Sequence, residues 1–252
     1  MYPYLLVFGK QISTYSLCMI LGVLLASTFS IFHGKRRGLI AEDFLIVAAC
    51  ALGLGLIGGG VLFVVVTYTP QQIFAYTCAG DFRFLGSGIV FYGGLIGGIL
   101  GALLGIRIAG CRFAAAERAI VPFIPLGHAV GRIGCVMAGC CHGCMYDGPF
   151  ALYYPNSVLG LSPTEGYFPV QIVEALINIG ICVILLRMEN KMRREFDLLL
   201  LYLGLYSVCR FFLEMFRGDE IRGGWHMLST SQIISIMLLC ISVAGLCWKH
   251  KE

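Results

Sequence analysis

Residues 42–66 read EDFLIVAACALGLGLIGGGVLFVVV. After the two acidic residues, 23 positions pass without a charge, enough for a helix to cross the ~30 Å hydrocarbon core of a bilayer. Working outward, six more stretches qualify, at roughly 12–33, 88–109, 117–138, 170–188, 196–216 and 229–248. The whole chain agrees. Of its 252 residues, 58% are hydrophobic and only 13% charged, against about 25% charged in soluble domains. Mean hydropathy is +0.85. These values exclude a soluble globular enzyme, a disordered chain and a nucleic-acid binder. They predict an all-α polytopic membrane protein of seven transmembrane helices, forming a single domain over residues 1–252. Glycine-rich runs at 52–60 and 93–105 predict close helix–helix approach. No basic region precedes the first apolar stretch, so that stretch reads as a retained helix rather than a signal peptide.

Lysine and arginine set the orientation. Lys35, Arg36 and Arg37 follow the first stretch, and Arg107, Arg112 and Arg118 follow the third. Arg187, Lys191, Arg193 and Arg194 follow the fifth, with Lys249 and Lys251 in the tail. Twelve of the 18 basic residues therefore fall on one side. The expectation is an N-terminus outside and a C-terminus in the cytoplasm.

Ionisable residues within spans are few and usually functional. Arg132 and Arg210 each lie about six residues, or ~9 Å, inside the outer end of a helix. Tyr15, Tyr92, Gln171 and Glu174 stand in the outer turns of three others, so these positions share one layer. Tyr206, Arg210, Glu214 and Arg217 follow at spacings of four, four and three, a polar stripe on one helix face. The bland reading is a structural ion pair with Arg217 snorkelling to the interface. The sharper reading is a phosphate site, because guanidinium binds phosphate oxygens as a bidentate fork. At headgroup depth that phosphate is most simply a phospholipid's.

The motifs carry a resemblance. Gly131-Arg132-Ile133-Gly134-Cys135, continuing to Gly139-Cys140-Cys141-His142-Gly143, resembles the G-R-x-G-N-F-x-N-G-E-x-x-G signature of the bacterial phosphatidylglycerol–prolipoprotein diacylglyceryl transferases. Phe91-Tyr92-Gly93-Gly94-Leu95-Ile96-Gly97 is similar to that family's F-H-G-G-L-I-G, and Pro169-Val170-Gln171 with Glu174 to its H-P-x-Q-x-x-E. Tyr206, Arg210, Glu214 and Arg217 match Y-x-x-x-R-x-x-x-E-F-x-R, and residues 229–235 match the start of its last helix. The resemblance implies transfer of a diacylglyceryl group from phosphatidylglycerol to the lipobox cysteine thiol of a lipoprotein precursor, with glycerol phosphate leaving. It implies a bacterial plasma (inner) membrane enzyme whose active site faces the outer leaflet. Membrane lipids and lipoprotein precursors are its expected partners, and neither cofactor nor metal is assigned. Arg132 and Arg210 are the expected catalytic arginines, and Tyr15, Gly143, Gln171, Glu174, Tyr206, Glu214 and Arg217 the expected substrate-binding positions.

The chain also departs from the pattern. Tyr92 replaces the family's histidine, Cys135 its asparagine and Cys140 its acidic residue; Gly60 stands for an arginine and Phe168 for a histidine. The proton of the acceptor thiol must then go elsewhere. Tyr92 is a weak base at neutral pH, whereas His128, four residues before Arg132 on the same face, is a chemically better one. Its plain alternative is a hydrogen-bonded structural histidine. Cys135, Cys140, Cys141 and Cys144 form the densest group among 12 cysteines. As residues they are open to three readings: packed or disulfide-bonded thiols, a metal site, or a redox pair. Alternatives to the transferase are a phospholipid-dependent enzyme with another acceptor, a non-catalytic lipid-binding protein, and a thiol-redox membrane protein.

Overall fold

The computed structural model describes residues 2–7, 9–81, 90–192, 194–218, 224–225 and 228–249. Those residues are mostly helical. An antiparallel hairpin, β1 (Tyr4–Val7) and β2 (Lys10–Ser13), leads into α1 (Thr14–Lys35). There follow α2 (Ala41–Thr67), α3 (Pro70–Cys78), α4 (Phe91–Ala109) and α5 (Phe113–Ile120). A 3₁₀ turn at Val121–Phe123 joins α5 to α6 (Ile124–Ala138). Then come α7 (Val170–Met188), α8 (Asp197–Glu214), the short pair β3 (Gly224–Trp225) and β4 (Leu228–Ser229), and α9 (Thr230–Lys249).

Each apolar stretch expected from the sequence coincides with helix, the third so far as residues 90–109 describe it. Among the described residues five helical segments are long and apolar enough to cross a membrane: Thr14–Lys35, Ala41–Thr67, Phe113–Ala138, Val170–Met188 and Thr230–Trp248. The chain is a polytopic helical membrane protein. Shorter Gly93–Ala109 is also apolar, while α8 carries Asp197, Arg210 and Glu214 within its 18 residues. Outward-facing side chains are aliphatic, including Ile20, Leu24, Val61, Val65 and Ile241, each more than half exposed. In water such a surface would aggregate; against lipid tails it incurs no hydration penalty.

The chain divides into two compact units, His33–Ala116 and the remainder. In the first, α2 and α4 pack antiparallel through glycines at every fourth position. A Cβ on Gly93 would strike the Gly58 carbonyl oxygen, one on Gly97 the Leu54 oxygen, and one on Gly101 the Cys50 oxygen. On Gly105 it would lie 2.6 Å from Val47 Cα. In the second unit, α1 meets α6 in the same manner. A Cβ on Gly22 would lie 2.7 Å from the Gly127 oxygen, and one on Gly134 would lie 2.8 Å from Cys18 Cβ. Small residues let backbones approach where no hydrophobic effect drives helices together.

Local chemistry sets the helix ends of this unit. The Glu117 carboxylate accepts hydrogen bonds from the backbone N–H of Phe196 (2.9 Å) and Leu199 (3.0 Å), capping α8 from a distant part of the chain. At α9, Ser229 and Gln232 form a reciprocal capping box, with Gln232 N donating to Ser229 Oγ at 3.2 Å and Ser229 N to Gln232 Oε1 at 3.0 Å. Residues 139–168, expected to be turn-rich, are tied down by backbone pairing. Leu152 and Tyr167 exchange hydrogen bonds, Phe168 N donates to Cys144 O, and Cys144 N donates to Phe216 O, all at 2.9–3.0 Å.

Candidate functional site

Glu174 is the centre of the site. It stands in the second turn of α7, fully buried, where a carboxylate must be paired. Arg132 Nη2 of α6 meets its Oε1 at 2.9 Å, and Tyr206 of α8 donates its hydroxyl to the same oxygen at 3.2 Å. Three helices thus converge on one atom. The other carboxylate oxygen, Oε2, is buried with no hydrogen-bond partner among the described residues. One turn on, Asn178 Nδ2 donates to the Glu174 backbone oxygen at 2.8 Å and fastens the helix beneath it.

His128 lies beside this cluster. Arg132 Nε donates to His128 Nε2 at 3.3 Å, so that nitrogen carries a lone pair and the ring is neutral, protonated at Nδ1. Its 3.6 Å approach to Glu174 Oε1 is then a contact, not an ion pair. The ring also packs on Tyr206, centroids 5.3 Å apart. Arg132 therefore has two of its donor positions anchored, by Glu174 and by His128, which holds the guanidinium plane.

Arg210 forms the second half. It is 8% exposed; its Nη2 lies 2.6 Å from Glu214 Oε2, one turn along the same helix face. The same nitrogen donates to Ser231 Oγ in the first turn of α9 at 3.3 Å, and Ser229 Oγ donates to Glu214 Oε1 at 3.0 Å. Arg210 Nη1 is buried with no hydrogen-bond partner among the described residues. The charges of Arg132 and Arg210 both act on His128 and on Tyr206, so the two guanidinium groups border one region. Two buried cations, each held by a single carboxylate, suit an anion that brings several oxygens.

The rim comes from residues 139–168. Gln171 Nε2 donates to the Cys140 backbone oxygen and to Tyr154 Oη, both at 2.9 Å, and Tyr154 donates back to Gln171 Oε1 at 3.2 Å. Burial pushes the Tyr154 phenol up to about 12, so it stays a donor at all ordinary pH. Gly143 pairs with Arg217 as an antiparallel bridge, and a Cβ there would strike the Phe168 carbonyl oxygen. Tyr15, 40% exposed, has its ring against Gly134 and lies within electrostatic reach of Arg132 and of Cys135, Cys140 and Cys141. Hydrogen bonds from Cys135 and Cys140, then the neighbouring Arg217, hold the Cys141 thiol below its usual range.

The structure thus gathers Tyr15, His128, Arg132, Gln171, Glu174, Tyr206, Arg210 and Glu214 on adjoining helices, with Gly143 and Arg217 at the rim. The side chain of Tyr92 lies outside the described residues. Asn178, Tyr154, Ser229 and Ser231 were not anticipated. Asn178 had a signal, its i+4 spacing from Glu174. Tyr154 had none, since it reaches Gln171 from a loop.

Residues 3–248 match the family described as "Prolipoprotein diacylglyceryl transferase". The chain is 31% identical over 239 residues to phosphatidylglycerol–prolipoprotein diacylglyceryl transferase 2 of Clostridium perfringens, covering 92% of this chain and 89% of that protein. It is 30% identical over 230 residues to the phosphatidylglycerol–prolipoprotein diacylglyceryl transferase of Clostridioides difficile, covering 91% and 88%. The protein of that name from Bacillus cereus is 28% identical over 234 residues, covering 91% and 85%.

Proposed function

Since the chain belongs to the prolipoprotein diacylglyceryl transferase family, we propose that Arg132 and Arg210 are the catalytic clamp for the phosphate of its phospholipid donor. The chain is a membrane transferase that moves a diacylglyceryl group from phosphatidylglycerol to a prolipoprotein. The acceptor thiolate attacks the glycerol carbon that bears the phosphate ester. A C–S bond forms, the C–O bond breaks, and its electron pair leaves with glycerol phosphate. Negative charge builds on the departing oxygens, and preorganised guanidinium groups there stabilise the transition state more than the ground state.

The observation that carries this reading is the pair of anchored arginines. Glu174 and His128 fix the plane of Arg132, and Glu214 and Ser231 hold Arg210, whose Nη1 has no hydrogen-bond partner among the described residues. Tyr206 and Gln171 act as positioning residues, Tyr206 through Glu174 and Gln171 through the Cys140 carbonyl. Tyr15, Gly143 and Arg217 form the rim through which lipid and acceptor enter. Of the two side chains the sequence offers for the thiol proton, Tyr92 and His128, His128 has its Nε2 lone pair engaged by Arg132 Nε and is assigned to holding that guanidinium.

Seven helices spanning as one membrane domain, with the N-terminus outside and the C-terminus cytoplasmic, complete the proposal. The twelve basic residues on alternate connections support it. That orientation turns the arginine layer toward the outer leaflet. The test is direct: purified protein is mixed with phosphatidylglycerol vesicles and a lipobox peptide. Mass spectrometry should find a diacylglyceryl adduct on the peptide cysteine, and none with vesicles of phosphatidylcholine alone. An unmodified peptide in both mixtures would overturn the assignment.

A further inference from the structure

Cys135, Cys140 and Cys141 bring their Sγ atoms within 4.8 Å of one another, and the backbone is what gathers them. Helix α6 ends in a Schellman motif, in which Gly139 adopts φ +67°. Cys140 N donates to Cys135 O at 3.1 Å, and Gly139 N to Val136 O at 3.2 Å. Cys135 and Cys140 occupy the two positions whose side chains this motif sets in contact. Cys141 then takes φ +56°, a left-handed conformation that costs a residue with a Cβ about 1–2 kcal/mol. The reversal returns a third thiol to the same cluster although its neighbour already points there. Ser157 Oγ donates to Gly139 O at 2.6 Å and Gln171 Nε2 to Cys140 O at 2.9 Å, so the turn is held from both sides. Cys135 is buried and the other two are half-buried.

We propose that Cys135, Cys140 and Cys141 bind a zinc ion as a tris-thiolate whose fourth position takes the acceptor cysteine thiol. This goes beyond the sequence reading, which assigned no metal, and rests on the transferase function above. Three thiolates are soft donors that suit zinc rather than magnesium or calcium. Three protein ligands with an open fourth position are the arrangement of a catalytic zinc. A Zn–S length of about 2.3 Å requires sulfur atoms about 3.8 Å apart, so each Sγ moves inward by roughly 0.6 Å at most.

The metal supplies what the replaced histidine position lacks. When the acceptor thiol binds zinc, its proton leaves to water, because a coordinating thiol is deprotonated outright. The bound thiolate donates its lone pair to the glycerol carbon. The C–O electron pair departs on the phosphate, toward Arg132 on the same helix. The product thioether is neutral, a weaker ligand, and dissociates. Nothing is oxidised or reduced.

The test uses the full chain purified in detergent with its thiols reduced. Elemental mass spectrometry should find one zinc per chain. Cys135→Ser, Cys140→Ser and Cys141→Ser should each lose most of it, while Cys144→Ser should keep it. Cobalt(II) added to metal-free wild-type protein should give a thiolate charge-transfer band. A lipobox peptide should shift the visible cobalt spectrum, and the same peptide with serine for cysteine should not. Chelation should slow transfer at neutral pH at least tenfold, and zinc should restore it. Wild-type protein that takes up neither metal, or a cobalt spectrum blind to the peptide, overturns the proposal without recourse to any variant. Transfer at full rate by metal-free protein would remove the zinc and leave the transferase standing. A peptide-sensitive cobalt site in a protein that lipidates nothing would leave the thiol-binding metal and remove the transferase.

Discussion

At the scale of single residues, Arg132 has two jobs that mutagenesis can separate. It neutralises the buried Glu174, and it is proposed to meet the phosphate. Arg132→Ala leaves an uncompensated buried carboxylate, a loss that typically costs about 3–5 kcal/mol, and removes a transition-state donor whose loss typically costs about 10²–10³ in rate. Adding Glu174→Gln should restore the thermal midpoint but not turnover. Arg132→Lys should rescue partially, keeping the charge without the fork. A double variant that regains near wild-type transfer to the lipobox peptide would remove the phosphate role. His128 has its Nε2 lone pair taken up by Arg132 Nε, so to act as a base it must first release the guanidinium. His128→Asn is therefore expected to lower transfer with a pH–rate profile parallel to wild type, as befits a residue that orients Arg132. Convergence of the two profiles at high pH, where solvent itself makes the thiolate, would instead give the histidine the base role. The spacing of Tyr206, Arg210 and Glu214 was legible as a polar stripe. The ion pair of Arg210 with Glu214 along that face follows from the spacing, whereas the pairing of Arg132 with Glu174 does not, because spacing on one helix carries no information about the partner across a bundle.

At the scale of elements, the glycines of α4 recur at 93, 97, 101 and 105, and the i, i+4 rule alone puts them on one face. Which helix they meet is decided by packing, and it is α2. The same chemical change should have opposite effects at two glycines of this unit. Gly97→Ala drives a methyl into the Leu54 carbonyl oxygen, whereas Gly53→Ala has nothing within 4 Å. Overpacking of this kind costs about 1–3 kcal/mol, while relieving a glycine within a helix is worth up to ~1 kcal/mol. Gly97→Ala should lower the thermal midpoint in detergent and Gly53→Ala should leave it or raise it. Equal shifts for both would show that α2 and α4 are not in backbone contact. The segment 139–168 reads from its glycines and prolines as turns. Its pairing to Phe216 and Arg217 joins residues some 70 apart by backbone groups, which no side-chain pattern announces.

At the scale of the whole molecule, charge asymmetry makes a prediction that the fold leaves open. With the N-terminus outside, the connection after residue 139 faces out and the one after residue 188 faces the cytoplasm. An alkaline phosphatase fused after residue 160 should be active in intact cells, and one fused after residue 190 inactive; the reverse pattern would invert the molecule and carry the arginine layer to the inner leaflet.

By itself the sequence determined that this chain lives in a bilayer and that each apolar stretch is helical to within a few residues; it did not foretell α3 or the 3₁₀ turn at Val121–Phe123. What it did determine follows from composition and from periods of three to four residues, and both are local. Only the tertiary structure decided that Glu174 is the common partner of Arg132 and Tyr206, that Glu117 caps α8, and that three cysteines meet. Each of these is a contact between side chains, or between side chain and backbone, brought together by helix packing or by a left-handed turn. A buried charge stays where other elements neutralise it, and those elements are remote in the chain.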